Sequence, residues 1–373
     1  MPNINYLQGE SMKTLYRNNA VGNGVKKITG AILFGLLLSL SLLLSVNQVI
    51  AATSYTANGY LVELLPSASG THFPIAMNAH GAIVGEGKGS GWTRNAVIWN
   101  SDGSYANLTP DEQSVYSSAR GINAGGVIVG HFNNRPVIWM NGERSEIGGV
   151  AAGYGAVDDI NVVGDVVGQV QFNYQPRAFI YQAGESRFLN GLNGYTSSRA
   201  YAINAHGLVS GTAQVASGKT HAVIWQNDVP MDLGTLPDDG SSYGLDINDA
   251  GQVVGYSRSA SYPFRSTPVL WQTGGILSLG SLGGTGGIAK TINNHGQVVG
   301  YAYTAKGIQH PFLWQDGVMT DLAPVLQGLC PELATCGRGM AVSINDAGQI
   351  VGTTYIAGTY YPQVYRLTPV SGE

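Results

Sequence analysis

The sequence predicts an all-β fold, a seven-bladed β-propeller, from three observations: one phrase repeated seven times, a strand count that balances only if the ends meet, and a turn-rich composition. The 373 residues include 53 glycines and 20 tyrosines but only 11% charged residues, and no heptads or long helical stripes occur. Length alone would suggest two or three domains, but a fixed repeat makes the chain one array.

The phrase is an apolar residue, Asn, two variable residues and Gly, followed by a mostly aliphatic pair and a second Gly. Its asparagines are Asn78, Asn123, Asn161, Asn204, Asn248, Asn293 and Asn345, spaced 45, 38, 43, 44, 45 and 52 residues apart. Four short strands with their turns fill about 40 to 45 residues, the length of a propeller blade. Asn at the first position and Gly at the fourth are the residues a type I turn prefers, so the phrase reads as the turn between strands A and B.

In the module around Asn248, strand A is Tyr243 to Ile247, strand B is Gln252 to Tyr256, strand C is Pro268 to Trp271 and strand D is Ile276 to Leu279. Strand C recurs as Ala96 to Trp99, Pro136 to Trp139, Ala178 to Tyr181, Ala222 to Trp225 and Pro311 to Trp314. Asp102-Gly103, Asn141-Gly142 and Asp316-Gly317 are hairpin signals between C and D. The seventh module ends after its strand C, Gln363 to Leu367, whereas Tyr60 to Leu64 stands before the first module as an unattached strand. If that strand is the missing strand D, the ring closes and no edge stays open; the alternative, a β-solenoid, would call for distinct caps.

Residues 1–52 read differently. Lys13, Arg17, Lys26 and Lys27 precede a charge-free run from Ile28 to Ala52, the pattern of a signal peptide with Val49-Ile50-Ala51 or Ile50-Ala51-Ala52 as cleavage site. The 19 residues from Ile28 to Val46 could instead stay as a membrane anchor. Met1 and Met12 are both candidate starts. Either way residues 53–373 are expected outside the cytoplasm, whether secreted, periplasmic or on the cell surface, as a monomer that touches membrane only through an uncleaved N-terminal segment. The net charge of −4 becomes about −7 without residues 1–51, and no Lys/Arg cluster follows, which argues against nucleic acid as a partner. Cys330 and Cys336, the only cysteines, are expected to form a local disulfide pinning the longest insertion between repeats.

His221-Ala222-Val223-Ile224-Trp225, His310-Pro311-Phe312-Leu313-Trp314 and Asp232-Leu233-Gly234-Thr235-Leu236 resemble the HAF-type extracellular repeat, over roughly residues 60 to 367. The His-Ala-Phe tripeptide itself never occurs intact, and Arg177-Ala178-Phe179 keeps its last two letters. The resemblance implies export and a repeat fold but brings no catalytic residues with it.

No cofactor and no metal site is expected. His80, His206 and His295 share the third turn position, but in the first, fourth and sixth blades. Ser217-Gly218-Lys219-Thr220 and Gly284 to Ala289 imitate phosphate loops without the helix that such loops open. No nucleophile elbow is expected, since the Gly-x-Ser-x-Gly letters at Gly240 to Gly244 lead into strand A and not into a helix, and His-Glu-x-x-His is absent from the sequence. The tryptophans of strand C read as packing between blades.

Function is expected on the face of the longer B-to-C and D-to-A loops, which would carry His72, Glu112, Tyr116, Arg135, Tyr174, Tyr195, Asp238, Asp239, Arg265 and the cysteine loop. Strand A narrows this. Two and four residues before the anchor Asn the chain is mostly small; three before it, the blades differ, with Ile75, Arg120, Asp158, Tyr201, Leu245, Lys290 and Val342. Arg120, Asp158, Tyr201 and Lys290 are the candidate ligand-binding residues, with an Arg120–Asp158 ion pair as the competing reading. The expected activity is non-catalytic binding of a protein or glycan; the alternative is an extracellular hydrolase or lyase acting on a carbohydrate polymer at the channel mouth, for which Asp238-Asp239 and Asp158-Asp159 are the available carboxylates.

Overall fold

The computed structural model describes residues 54–66, 70–89, 92–110, 115–329, 337–356, 359 and 361–370. Seven antiparallel sheets follow one another along the chain, each starting with strand A: Phe73–Met77, Ser117–Ile122, Gly155–Ile160, Ser198–Ile203, Asp239–Ile247, Gly283–Ile292 and Gly339–Ile344. This is the seven-bladed β-propeller. Six blades are local four-stranded meanders. The seventh takes its fourth strand from the other end of the chain, Tyr60–Leu64 pairing with Gln363–Pro369 in the register Tyr60↔Pro369 to Leu64↔Tyr365. Ring closure is thus the one the strand count requires. One strand lies beyond that expectation: Ser54–Ala57 pairs outside Tyr60–Leu64, giving this blade five strands.

The apolar core is not central but divided among the blade seams. Seven buried clusters each join residues of two neighbouring blades, as where Ile180 and Leu189 of blade 3 meet Ile203 and Trp225 of blade 4. The cluster of Val351 and Val364 of blade 7 with Ile83 and Trp99 of blade 1 closes the circle. The strand C tryptophans Trp99, Trp139, Trp225, Trp271 and Trp314 are all at most 8% exposed, so they serve these seams and not a sugar platform. Each large apolar side chain so buried contributes roughly 1.5 to 3 kcal/mol.

The recurring His and Asp of the repeat are structural as well. The His221 imidazole lies 2.9 Å from Asp232 and that of His310 lies 2.8 Å from Asp321, in both cases joining strand C to strand D. The same aspartates accept backbone N–H bonds from Gly234 and Ala323, which ends strand D and starts the turn away from the blade.

The Asn phrase forms the expected turn and something more. In each blade the Gly N–H bonds back to the Asn carbonyl, as Gly251 to Asn248 at 3.0 Å, and Gly takes a left-handed conformation, with φ +75 at Gly251. The Asn Oδ1 accepts backbone N–H groups from within its own turn, for Asn204 those of His206 and Leu208. Its Nδ2 leaves the blade altogether. Asn78 donates to the carbonyl of Asn123 at 3.1 Å, Asn123 to Asn161, Asn161 to Asn204, Asn204 to Asn248, Asn248 to Asn293 and Asn293 to Asn345. Asn345 then donates to Asn78 at 3.2 Å, and the ring of seven hydrogen bonds is complete. All seven asparagines are at most 8% exposed. A buried hydrogen bond adds only about 1 kcal/mol net, but a buried donor or acceptor left alone costs about 1 to 3 kcal/mol, so the ring enforces blade order mainly by penalising its own rupture.

Candidate functional site at the axial channel

Strand A lines the axis in every blade, and in every blade its pairing with strand B slips by one residue at the same place. The slips fall between Pro74 and Ala76, Ala119 and Gly121, Val157 and Asp159, Ala200 and Ala202, Gly244 and Asp246, Ala289 and Thr291, and Ala341 and Ser343. The extra residue of each bulge is the one three before the anchor Asn. A β-bulge leaves one residue unpaired and re-aims its side chain. All seven such residues, Ile75, Arg120, Asp158, Tyr201, Leu245, Lys290 and Val342, line one axial cavity of about 490 Å³.

The four candidates from sequence are therefore brought together. Arg120 Nε donates to Asp158 Oδ1 at 2.7 Å, so the ion pair is real. The Asp158 carboxylate raises the basicity of the Arg120 guanidinium against the cost of its burial, while burial pushes the Asp158 carboxyl up against the pull of Arg120. The second Asp158 oxygen, Oδ2, is buried and has no hydrogen-bond partner among the described residues. Burial raises the Tyr201 phenol, and burial together with the Arg120 charge lowers the Lys290 ammonium.

Two further lining residues stand outside the four candidates: Asp246 has no place in the sequence reading, and Asp159 enters it only as a carboxylate of the enzyme alternative. Asp159 and Asp246 stand two before the anchor, where the other blades carry Ala76, Gly121, Ala202, Thr291 and Ser343. Asp159 Oδ2 accepts the Ile203 N–H at 2.9 Å and Asp246 Oδ2 accepts the Ile292 N–H at 2.8 Å, each reaching the next blade. Burial pushes both carboxyls up to about 7, and the negative charge of Asp159 adds to the rise at Asp246. Their signal in the sequence is the break in a run of small residues.

Beside strand A, the position eight after the anchor Asn lies on strand B and is Glu86, His131, Tyr256 and Tyr301 in blades 1, 2, 5 and 6. There Glu86 accepts from Arg94 at 2.6 Å and from the Tyr116 hydroxyl at 2.8 Å. Burial alone would raise the Glu86 carboxyl, but these bonds outweigh it and hold it low. Burial and Glu86 push the Tyr116 phenol up to about 12. Tyr116 stacks on His131 at 5.2 Å, and burial, with Arg120 nearby, lowers that imidazole to about 4, leaving it neutral. On the opposite arc Tyr243 stacks on Tyr256 at 4.5 Å, and Tyr301 meets Tyr303 edge-on. This position is thus a carboxylate in blade 1, a neutral imidazole in blade 2 and a tyrosine in blades 5 and 6.

The face beyond carries the exposed aromatic residues. Trp92, Tyr116, Tyr154, Phe172, Tyr174, Tyr262, Phe264, Tyr355 and Tyr361 are the aromatic side chains among the large exposed apolar residues, and each sits at or beside a B-to-C or D-to-A loop. The tight-turn side and the outer strands expose aliphatic residues and methionines instead, such as Val162, Val163, Val229, Val318 and Met140. His72 departs from its expected place on the loop face: it is 1% exposed, its ring held between Gly70 O and the Tyr105 hydroxyl against Trp99. Arg135 is exposed there and paired with Glu146 at 3.2 Å. Glu112, the Cys330–Cys336 pair and the N-terminal segment lie outside the described residues. Among the described residues no group of three or more His, Cys, Asp or Glu is placed to hold a metal, and no helix is long and apolar enough to cross a membrane.

No family model matches the sequence, and no curated relative matches it either. Solved structures do. The extracellular domain of a one-component system from B. thetaiotaomicron is similar at TM-score 0.53 and 9% identity, over 85% of this chain and 40% of that longer one. The β-propeller domain of the Trilobed protease from Pyrococcus furiosus gives 0.48 at 12% identity, over 80% of this chain and 95% of that one. A gluconolactonase from Xanthomonas campestris gives 0.42 at 11% identity, over 85% and 94%. At such identities the likeness is one of fold.

Proposed function

We propose that the chain is an exported, non-catalytic β-propeller that binds a protein or glycan ligand through its long-loop face and the channel mouth beneath it. The observation that carries this reading is the segregation of exposed aromatics. Nine lie on one face. Tyr and Trp supply large contact area with a polar tip, and they are the residues enriched where a protein surface meets a partner or a sugar ring. The charge-free run in residues 28–52 and the resemblance to the HAF-type extracellular repeat support the extracytoplasmic setting.

The competing reading, an extracellular hydrolase or lyase on a carbohydrate polymer, draws on Asp159 and Asp246, whose carboxyls near pH 7 suit acid–base work. Each, however, gives an oxygen to a backbone N–H of the next blade, and Asp246 gives the other to Ile247, which ties them to the blade seams. Binding is the function the geometry favours.

A glycan and protein array probed with the full chain tests this. Trp92, Tyr174 and Tyr262 are 104%, 103% and 86% exposed, so changing them to Ser should leave folding intact. The triple variant should lose array signal at least tenfold, and Val229→Ser/Val318→Ser on the other side should keep it. Equal signal from both would refute the loop-face reading, and polysaccharide turnover abolished by Asp246→Asn would replace it with the enzyme.

A further inference from the structure

The seven bulged residues that meet in the axial cavity divide by chemistry around the ring. Blades 2, 3 and 4 contribute Arg120, Asp158 and Tyr201, and blade 6 contributes Lys290; blades 7, 1 and 5 contribute Val342, Ile75 and Leu245. Pairing side chains by contact leaves one cation over. Arg120 and Asp158 pair with each other at 2.7 Å. Asp159 and Asp246 are oriented by backbone N–H groups of the next blade, and burial keeps their carboxyls partly protonated at neutral pH. The Lys290 ammonium has neither hydrogen bond nor ion pair among the described residues. The other lysines among them, Lys88, Lys219 and Lys306, are exposed. A partly desolvated ammonium with no counter-ion is unfavourable, and an anion placed against it recovers that cost.

Which anion follows from the surroundings. The chain is net negative, at −4, so a polyanion is repelled at long range, and a single unpaired cation matches a single charge. The cavity holds hydroxyls of Tyr201, Thr291 and Ser343, while Ile75 and Val342 from adjacent blades form an apolar wall. Tyr243 and Tyr256 stack in blade 5, with Tyr256 near the lining residue Tyr201. Hydroxyls set beside a C–H-binding wall suit a sugar ring better than a peptide chain.

We infer that the channel cavity takes the single carboxylate of a carbohydrate acid, with Lys290 as its counter-charge, Tyr201 as a hydroxyl partner and Ile75 and Val342 against the ring's C–H face. The inference rests on the reading of the loop face as the binding face and names the ligand class of its centre. Free sugar acid and terminal uronate of a glycan share this chemistry.

The test is calorimetric titration of the full chain with four probes: free glucuronate, a glucuronate-terminated oligosaccharide, the same oligosaccharide with its carboxyl reduced to the alcohol, and an N-acetylated tripeptide with a free C-terminus. A carboxylate sugar should bind at least tenfold more tightly than the reduced one. Lys290→Met should erase that ratio and Lys290→Arg should keep it, with thermal melts reporting that both variants fold. Tightest binding by free glucuronate would assign a soluble acid, and by the oligosaccharide a glycan terminus; either supports the inference. Equal affinity for acid and reduced sugar, preference for the tripeptide, or a ratio unchanged in Lys290→Met would overturn it while leaving the loop-face reading intact. No binding of any probe overturns it too, and the array then separates the cases: hits sensitive to the aromatic triple preserve the broader reading, and silence ends both.

Discussion

Asn248→Asp should destabilise the protein by about 2 to 4 kcal/mol at pH 7, although Asp serves the first position of a type I turn as well as Asn does. The turn needs only an acceptor, which Asn248 Oδ1 provides to the Gln252 N–H, and an Asp oxygen would provide it equally. The ring needs a donor. Asn248 Nδ2 donates to Asn293 O at 3.2 Å and to Gln252 Oε1 at 2.8 Å, and a carboxylate would set a negative oxygen against both. Asn248→Ala removes donor and acceptor together and should cost a similar amount. Denaturant unfolding of the two variants decides the matter. A neutral Asn248→Asp beside a destabilised Asn248→Ala would mean that the residue only makes the turn. Lowering the pH should restore part of the Asp variant's loss, because a protonated carboxyl can donate again.

The second large effect is a pH dependence with an unusual sign. Asp159 and Asp246 have folded-state carboxyls near 7, against about 3.9 for an unperturbed Asp. Between these values the folded chain holds protons that the unfolded chain has released, so stability falls as pH rises from about 4 to about 7 and then levels. The contribution is zero below the unfolded value and reaches a penalty on the order of 4 kcal/mol for each group above the folded one. Asp159→Asn and Asp246→Asn remove it while keeping an oxygen for the Ile203 and Ile292 N–H groups. Each variant should therefore melt above the unaltered protein at pH 8 and not at pH 4.5. A wild-type-minus-variant difference that stays flat from pH 4.5 to 8 would mean that these carboxyls are not held protonated by burial.

The sequence made the scaffold legible because its signals are local or are counts. Asn-x-x-Gly reports its own turn chemistry, and the orphan strand at Tyr60 reports closure by arithmetic, as its register with Gln363–Pro369 bears out. The Asn ring was harder to read, since the Nδ2 partner is a backbone carbonyl 38 to 52 residues further on, or 267 residues back for Asn345. Its trace was available nonetheless: a turn alone would accept Asp or Ser in some blades, and Asn stands in all seven.

At the site, variation three before the anchor picked out Arg120, Asp158, Tyr201 and Lys290, and the recurring bulge is the reason they face one cavity. Asp246 was missed, and Asp159 was named only for the enzyme alternative, because a small-residue pattern describes what most blades do and passes over the exceptions. The tenor of His72 changed for a related reason. A loop position reads as exposed, yet a D-to-A connection can tuck one side chain behind the blade, and here it packs on Trp99 and Tyr105. The outermost strand, Ser54–Ala57, is four residues just after the charge-free run of the sequence and carries no turn phrase of its own.

Hydrogen–deuterium exchange on the full chain, with and without a ligand selected on the array, tests the central claim most directly, because it reads every backbone segment without choosing residues beforehand. Slowed exchange should fall on the B-to-C and D-to-A connections around Trp92, Tyr154, Tyr174 and Tyr262, of which blade 3's is only the two-residue turn Asn173-Tyr174, and on the bulged stretches around Arg120, Asp158, Tyr201 and Lys290. Protection concentrated instead on the opposite mouth, around Ala79, Val162, Ala205 and Asn294 beside the Asn ring, would contradict the division between a scaffold side and a binding side.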